Sequence, residues 1–318
     1  MLSGTTQLLS SVMSVIKRIV GGLLALLLLL LVWGSAVESR FLLDVETYEA
    51  EVPNLLPAWE GQTLAFLADF QVGMWLDNTG MIEKAVGAAL EARPALVLLA
   101  GDFVYKPDSA VVQEAVALMR PLTTAGIPVL AVLGNHDYSL MKETSEMRED
   151  MARYLKAELE ATGIQVLENE AEPVTLPGGE EELYVVGIGS AWAQRSQPEA
   201  ALASVAGGVP RVIMMHNPVA YRDLPRQAGP LTLAGHTHGG QIRLPLMPSE
   251  SWLDIAQPRE VVADGWVEDH IGAAGNRLYV NRGIGFSLVP VRIFCRPELT
   301  LFTLRRAGGT VPERGPDS

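Results

Sequence analysis

Three short apolar runs constrain this chain more than anything else in it: residues 63–68, 96–100 and 129–133. Each lacks charge and each stops at polar residues: Asp69 after the first, Asp102 after the second, Asn135 and His136 after the third. Between them, residues 81–92 and 109–124 carry apolar positions at helical spacing. A strand covered on both faces needs an unbroken apolar run, and strand–helix–strand alternation leads to a parallel sheet. Two later runs repeat the punctuation, 212–215 ending at His216 and 231–234 ending at Gly235-His236-Thr237-His238. Side chains that follow the carboxyl ends of parallel strands gather at one edge of the sheet, where ligands of such folds bind.

The chain has five histidines, and His136, His216, His236 and His238 all follow these runs; His270 does not. In extended backbone, residues two apart face the same side, so His236 and His238 can share one cavity. The neighbouring Gly235, Gly239 and Gly240 allow close approach to a ligand. Taken singly, an aspartate after a strand is a turn or helix cap, and Gly-Asn is a turn dipeptide. Five such sites in the same place relative to a strand point instead to a metal centre.

Residues 19–37 carry no charge. At roughly 1.5 Å per residue, a helix of that length nearly spans the ~30 Å hydrocarbon core of a bilayer. Lys17 and Arg18 precede it, and Glu38, Arg40 and Asp44 follow. The positive-inside rule then puts the N-terminus in the cytoplasm and the rest of the chain outside it. A cleaved signal peptide with a site after Ala36, or a buried core helix, are the competing readings. The expected organisation is a cytoplasmic segment 1–18, an anchor 19–37, a connector 38–60, one folded domain 61–305 and a polar tail 306–318. The formal net charge of −13 argues against a general nucleic-acid partner, which needs a basic surface. Cys295 is the only cysteine, so no intramolecular disulfide forms, and its apolar neighbours predict a packed thiol on a strand.

The charged amphipathic stretch 142–162 predicts a helix. Residues 164–168, 183–188, 261–267, 278–281 and 299–304 predict strands, and the proline-rich 240–258 predicts a loop. The expected fold class is α/β: a four-layer α/β/β/α sandwich, two mixed sheets flanked by helices, behind one N-terminal transmembrane helix.

Asp69-Phe70-Gln71, Gly101-Asp102, Gly134-Asn135-His136-Asp137, His216 and Gly235-His236-Thr237-His238 follow one another in that order. The series resembles the calcineurin-like metallophosphoesterases, whose motifs run Asp-x-His, Gly-Asp, Gly-Asn-His-Asp/Glu, His and Gly-His-x-His. The resemblance covers about residues 63–304, and 239–245 and 281–285 look like the family's membrane-associated bacterial branch, which the anchor also fits. It implies two divalent metal ions bridged by Asp102, one taking Asp69, Gln71 and His238, the other Asn135, His216 and His236. Two such cations against Asp69, Asp102 and a bridging hydroxide leave net positive charge, suited to an anionic phosphate. It further implies hydrolysis of a phosphodiester, phosphomonoester or pyrophosphate bond by metal-bound hydroxide. His136 would stabilise the transition state or protonate the leaving oxygen, with Asp137 the natural residue to orient it.

A phosphorylated small molecule or a lipid-linked, envelope-associated substrate suits an enzyme anchored in the bacterial cytoplasmic membrane with an extracytoplasmic domain. Family analogy offers a UDP-diacylglucosamine-type pyrophosphate, which would lie on the opposite, cytoplasmic side. One departure from the family is Gln71, where its members usually carry histidine. An amide oxygen is a harder and weaker ligand than imidazole, which favours Mn²⁺ or Mg²⁺ over Zn²⁺, with iron a further candidate. The alternative is a non-catalytic metal-binding or scaffold protein in which Gln71 marks a decayed site. Phe70, Met74, Trp75 and Leu76 read as core packing or an apolar lip, Arg243 and Arg282 as phosphate clamps or salt bridges, and His270 as a surface residue.

Overall fold

The computed structural model describes residues 2–141, 145–244, 247–251, 262–267 and 271–308. It opens with helix α1 (Leu2–Trp33), a π-helical stretch Gly34–Glu38 and a helical turn α2 (Ser39–Phe41). The strands that follow are β1 (Asp44–Val52) and β2 (Thr63–Leu67), and then helix α3 (Thr79–Glu91) leads to β3 (Leu96–Ala100). Helix α4 (Ser109–Thr124), β4 (Val129–Val132), α5 (Glu149–Ala161) and β5 (Gln165–Val166) complete the alternating half. The second half carries β6 (Glu170–Thr175), β7 (Glu182–Ile188), α6 (Pro198–Leu202), β8 (Arg211–Met215) and β9 (Thr232–Ala234). It closes with β10 (Arg243–Leu244), β11 (Met247–Ser251), β12 (Gly265–Trp266), β13 (Leu278–Val280) and β14 (Glu298–Arg306).

These strands form two six-stranded sheets, ordered β1-β14-β2-β3-β4-β5 and β12-β13-β9-β8-β7-β6. In the first, β2 to β5 run parallel and β14 joins β2 antiparallel; in the second, β7, β8, β9 and β13 run parallel. The inner faces pack on each other through Leu64, Phe66, Leu96 and Leu98 from one sheet and Leu183, Val185, Val212 and Met214 from the other. The outer face of the first sheet takes α3, α4 and α5. Helix α4 shows why: Val112, Ala115, Val116, Met119 and Leu122 recur at helical spacing and are all buried. Its start is set by Asp108, whose carboxylate accepts from the N–H groups of Ala110 (2.9 Å) and Val111 (3.0 Å). On the second sheet the helical cover among the described residues is thin: the five-residue α6 and the 3₁₀ turn Pro218–Asp223. The fold is therefore mixed α/β with two sheets and flanking helices, its two helical layers unequal.

Several elements differ from expectation. The stretch read as a connector contains β1, which pairs in parallel with β14 over Asp44–Val52 and extends the first sheet. The helix expected from residue 142 starts at Glu149, and the strand expected over 164–168 shrinks to Gln165–Val166. Strand β6 was not expected, because Glu170, Glu172 and Pro173 make it polar; it is an edge strand, where proline and charge are tolerated. Part of the expected loop 240–258 is the β10–β11 hairpin, and 245–246 and 252–258 lie outside the described residues. The strand expected over 261–267 is Gly265–Trp266, while His270 lies outside the described residues. From Ser11 on, helix α1 is largely exposed, and it is apolar enough to cross a membrane by length and composition.

Candidate metal centre

Every polar residue that follows an apolar run reaches one place between the two sheets. Asp69 and Gln71 follow β2, Asp102 follows β3, Asn135 and His136 follow β4, His216 follows β8, and His236 and His238 follow β9. The chain turns sharply there: Asp69, Gln71, Asp102, His236 and His238 all have φ between 52° and 76°. That left-handed region is costly for residues with a Cβ, and it persists where surrounding structure enforces it. The strands also approach too closely for side chains. A Cβ on Gly134 would stand 2.1 Å from Asp102 Oδ1, and one on Gly235 would stand 2.7 Å from Asp69 Oδ2.

Two groups of donors result. Ligand atoms of Asp102, His216 and His236 lie within 4.8 Å of one another, and so do those of Asp69, Asp102 and His238. Asp102 stands in both, so these are two candidate metal-binding triads with a common carboxylate. Asn135 and Gln71 flank them. The Asn135 amide N–H donates to the Leu140 carbonyl (2.7 Å), which turns Oδ1 toward His216 Nε2 at 3.1 Å. Gln71 Nε2 donates to Asp102 Oδ2 at 2.9 Å and lies 3.4 Å from His238 Nε2.

Charge in this pocket is held at a cost. Asp69, Asp102 and His216 are fully or almost fully buried. Burial raises Asp69 well above the ordinary carboxylate range, and the neighbouring Asp102 charge adds to that rise. Burial would raise Asp102 too, but the adjoining His216 and His136 outweigh it and hold Asp102 below the usual range. Burial likewise works against a charged His216, yet Asp102 at 3.3 Å lifts it to about 9. His216 Nδ1 donates to the Ala100 carbonyl at 2.6 Å, and its Nε2 faces two oxygen acceptors, so both nitrogens carry protons near neutral pH. Burial and then the Arg292 charge push His238 down, which keeps it neutral.

That pattern fits a divalent ion. The Nε2 proton of His216 neutralises carboxylates that a cation would neutralise instead. Among the described residues, Gln71 Oε1 and His238 Nδ1 are buried without hydrogen-bond partners. Rotating the Gln71 amide by 180° exchanges its two ends without changing its shape, and presents an oxygen where a nitrogen now faces Asp102.

His136 lies beside these groups without belonging to either triad. Its Nδ1 donates to the Tyr105 carbonyl (2.7 Å), and its ring stacks on Tyr105 at 5.1 Å. The Nε2 edge is thereby left as the reactive one, and His136 lines a cavity of about 330 Å³ together with Asp102, Asn135, His236 and His238. The walls of that cavity are apolar, formed by Met141, Trp192, Ile242, Leu288 and Val289.

Asp137 does not orient His136. It is fully buried and accepts backbone N–H groups from Gly134 (2.8 Å), Asp102 (2.9 Å) and Val104 (3.2 Å), clamping the loops after β3 and β4 together. Arg282 is not a free phosphate clamp, because Glu298, Asp44, Glu46 and Asp264 all pair with it. Arg243 pairs with Asp264. Phe70 and Met74 are core, whereas Trp75 and Leu76 are exposed. Cys295 is buried as expected but in a loop, its thiol 3.4 Å from the carbonyls of His238 and Gly239.

Two residues escaped the sequence reading. Arg292 is fully buried and donates to the carbonyls of His238, Arg282, Gly283 and Gly285, which fixes the turn carrying His238. Its only sequence signal was a lone charge between Val291 and Ile293. Asn217 Oδ1 accepts from Ser190 (3.0 Å) and the Ala191 N–H (2.9 Å), holding the loop that sets Trp192 against His236. In the sequence it stands only between His216 and Pro218, with nothing that marks this role.

Comparison with known proteins agrees with this geometry. The family model of calcineurin-like phosphoesterases matches residues 63–241, the stretch that supplies all eight residues above from Asp69 to His238. The phosphodiesterase YaeI of Escherichia coli is 32% identical over 76% of this chain and 81% of its own length. The metallophosphoesterase YkuE of Bacillus subtilis is 27% identical over 68% of this chain and 69% of its own. The UDP-2,3-diacylglucosamine pyrophosphatase LpxG of Chlamydia muridarum is 24% identical over 85% and 91%. With a family model matching more than half of its length and a relative 32% identical over 76% of it, the chain belongs to the calcineurin-like phosphoesterase family.

Proposed function

We propose that this protein is a membrane-anchored, dinuclear metal-dependent phosphoesterase that hydrolyses a phosphodiester, phosphomonoester or pyrophosphate bond. The observation that carries the proposal is the single carboxylate of Asp102, which lines a cavity and is shared between two donor triads. Asp69, Gln71 and His238 would hold one ion, and Asn135, His216 and His236 the other, with Asp102 common to both. When bound, such a pair supplies Lewis acidity toward phosphoryl oxygens and acidifies a water that can react near neutral pH.

The chain's own residues do the rest. The Ala100 carbonyl fixes the Nδ1–H tautomer of His216 and leaves Nε2 as its ligand atom once the second proton is displaced. The Leu140 carbonyl fixes the Asn135 amide oxygen-inward. His136, held through Nδ1 by Tyr105, presents Nε2 to the cavity, where it can hydrogen-bond a phosphoryl oxygen or give a proton to the leaving oxygen. The Trp192 edge on His236 and the apolar walls limit water around the reacting group.

Gln71 supports Mn²⁺ or Mg²⁺ over Zn²⁺ at the Asp69 cluster, because an amide oxygen is a hard donor. The apolar cavity walls support a substrate with a hydrocarbon part, as would a lipid-linked phosphate of the envelope. Helix α1 supports a single-pass anchor, and the Lys17-Arg18 pair before it supports a cytoplasmic N-terminus with the catalytic domain outside. A UDP-diacylglucosamine-type substrate, as named for LpxG, would require the opposite orientation.

The test is turnover of the full chain in detergent, stripped of metal and refilled separately with Mn²⁺, Mg²⁺ and Zn²⁺. Release of nitrophenol from bis-p-nitrophenyl phosphate and from the monoester is followed, with His136→Asn as the control. Metal-dependent turnover that collapses in the control supports the enzyme. Two bound ions without turnover on either ester or on lipid pyrophosphates would favour the non-catalytic scaffold.

A further inference from the structure

The surface around the C-terminal end of α1 is unusual. Outside α1, eight large apolar side chains are exposed among the described residues, and six of them, Phe41, Trp75, Leu76, Leu288, Val289 and Phe294, cluster by connectivity around its end. Arg40 donates to the Leu76 carbonyl at 2.7 Å, which brings Trp75 and Leu76 beside Phe41. Glu38, only 2% exposed, accepts from the Phe294 N–H at 3.0 Å and from the Cys295 N–H, and Trp33 Nε1 donates to it as well. The Arg292 N–H donates to the Gly34 carbonyl at 3.2 Å, and Gly34 has no room for a Cβ against Val291 and Ile293. Only Val45 and Met147 of the eight fall outside these segments.

Leu288 and Val289 also line the cavity that His136, Asp102, His236 and His238 line. From Val289 to Val291, which packs against Gly34, is two residues, or at most about 7 Å of backbone. The cavity wall and the end of α1 are therefore joined by one short, hydrogen-bonded segment. An apolar patch of this kind is a liability in water and marks an interaction surface. Its continuity with the end of a bare apolar helix selects the occupant, since a helix that crosses a bilayer leaves its last turns at the lipid headgroups. Trp33 and Trp75, with an apolar body and a polar N–H, suit that level.

We infer that Phe41, Trp75, Leu76, Leu288, Val289 and Phe294 form a rim that inserts into the bilayer interface and sets the cavity mouth on the membrane surface. The partner is the lipid surface itself. The rim admits a phosphoester whose hydrocarbon part stays in the bilayer while its head enters the cavity between Leu288, Val289 and His136. This inference rests on reading α1 as a membrane anchor.

The test is spin-label accessibility in full-length protein reconstituted in phosphatidylcholine nanodiscs, on a Cys295→Ser background. Labels are placed singly by Leu288→Cys, Trp75→Cys, Leu26→Cys and Asp223→Cys. Oxygen partitions into lipid and a nickel chelate stays in water, so their ratio reads depth. The expected result is a lipid signature at Leu26, an interfacial one at Leu288 and Trp75, and an aqueous one at Asp223, which is exposed on the second sheet's covering turn. A lipid signature at Leu26 with Leu288 and Trp75 as aqueous as Asp223 would overturn the rim and leave the anchor standing. An aqueous reading at Leu26 would overturn both.

Discussion

The two donor clusters share Asp102 and differ in almost everything around it. In the Asn135–His216–His236 cluster the outer hydrogen bonds are in place: the Ala100 carbonyl holds His216 Nδ1, and the Leu140 carbonyl holds the Asn135 amide. In the Asp69–Gln71–His238 cluster only Asp69 has one, accepting the His236 N–H at 2.9 Å. Among the described residues Gln71 Oε1 and His238 Nδ1 have no partners, Asp69 resists ionisation through burial, and the cation Arg292 lies behind His238. Outer-shell partners that fix a ligand's tautomer and orientation raise its affinity for metal. Each cluster must shed a proton before it binds, from His216 in the first and from Asp69 in the second, but only the second must also turn its amide. One shared carboxylate thus stands in two candidate sites, for which unequal affinity is the expected outcome.

The largest expected effect removes what the clusters have in common. Asp102→Asn takes the charge from both, and each site should lose at least about tenfold in affinity, roughly 1.4 kcal/mol apiece. Metal content by mass spectrometry after gel filtration reads this directly, and loss of a single ion would mean that the carboxylate is not shared. His136→Asn leaves both clusters intact, so it should keep two ions while turnover drops by about 10²–10⁴, the usual worth of a general acid. Gln71→His supplies the missing imidazole to the weaker cluster. It should tighten that site alone, by on the order of tenfold, and move its preference toward Zn²⁺.

The smallest expected effect is on stability against pH. His216 has a folded pKa of about 9 against an unfolded value of 6.5, so its contribution to the metal-free fold is complete below 6.5. That contribution is lost as pH rises through about 9. The raised Asp69 acts with the same sign, since it too binds its proton more tightly in the folded chain. The melting temperature of the metal-free protein should therefore fall between pH 6.5 and 9. With Mn²⁺ saturating both clusters the decline should vanish, because the ions displace these protons. Calorimetric scans across that range compare the two, and a flat metal-free curve would remove the buried imidazolium from the account.

The strands that carry the site were legible because burial on both faces demands uninterrupted apolar runs, and β3 is buried at every position. The chemistry was legible because each run stops at a residue that chemistry needs. What the chain did not reveal depends on contacts between remote segments. Strand β1 leaves Val45, Thr47, Glu49 and Glu51 exposed and buries only Ala50 and Val52, and its partner β14 lies some 250 residues away. Asp137 sits next to His136 in sequence, yet its carboxylate is consumed by backbone N–H groups of its own loop and of the loop after β3. Arg292 and Asn217 work through carbonyls and N–H groups, which every residue has, so no side-chain pattern marks their partners.

The most direct test of unequal sites on one carboxylate is a calorimetric titration of the metal-free full chain with Mn²⁺, beside Gln71→Ala. Two binding events per chain are expected, a tighter and a weaker, and Gln71→Ala should erase only the weaker. One ion per chain, two indistinguishable ions, or a Gln71→Ala titration identical to the parent would contradict it.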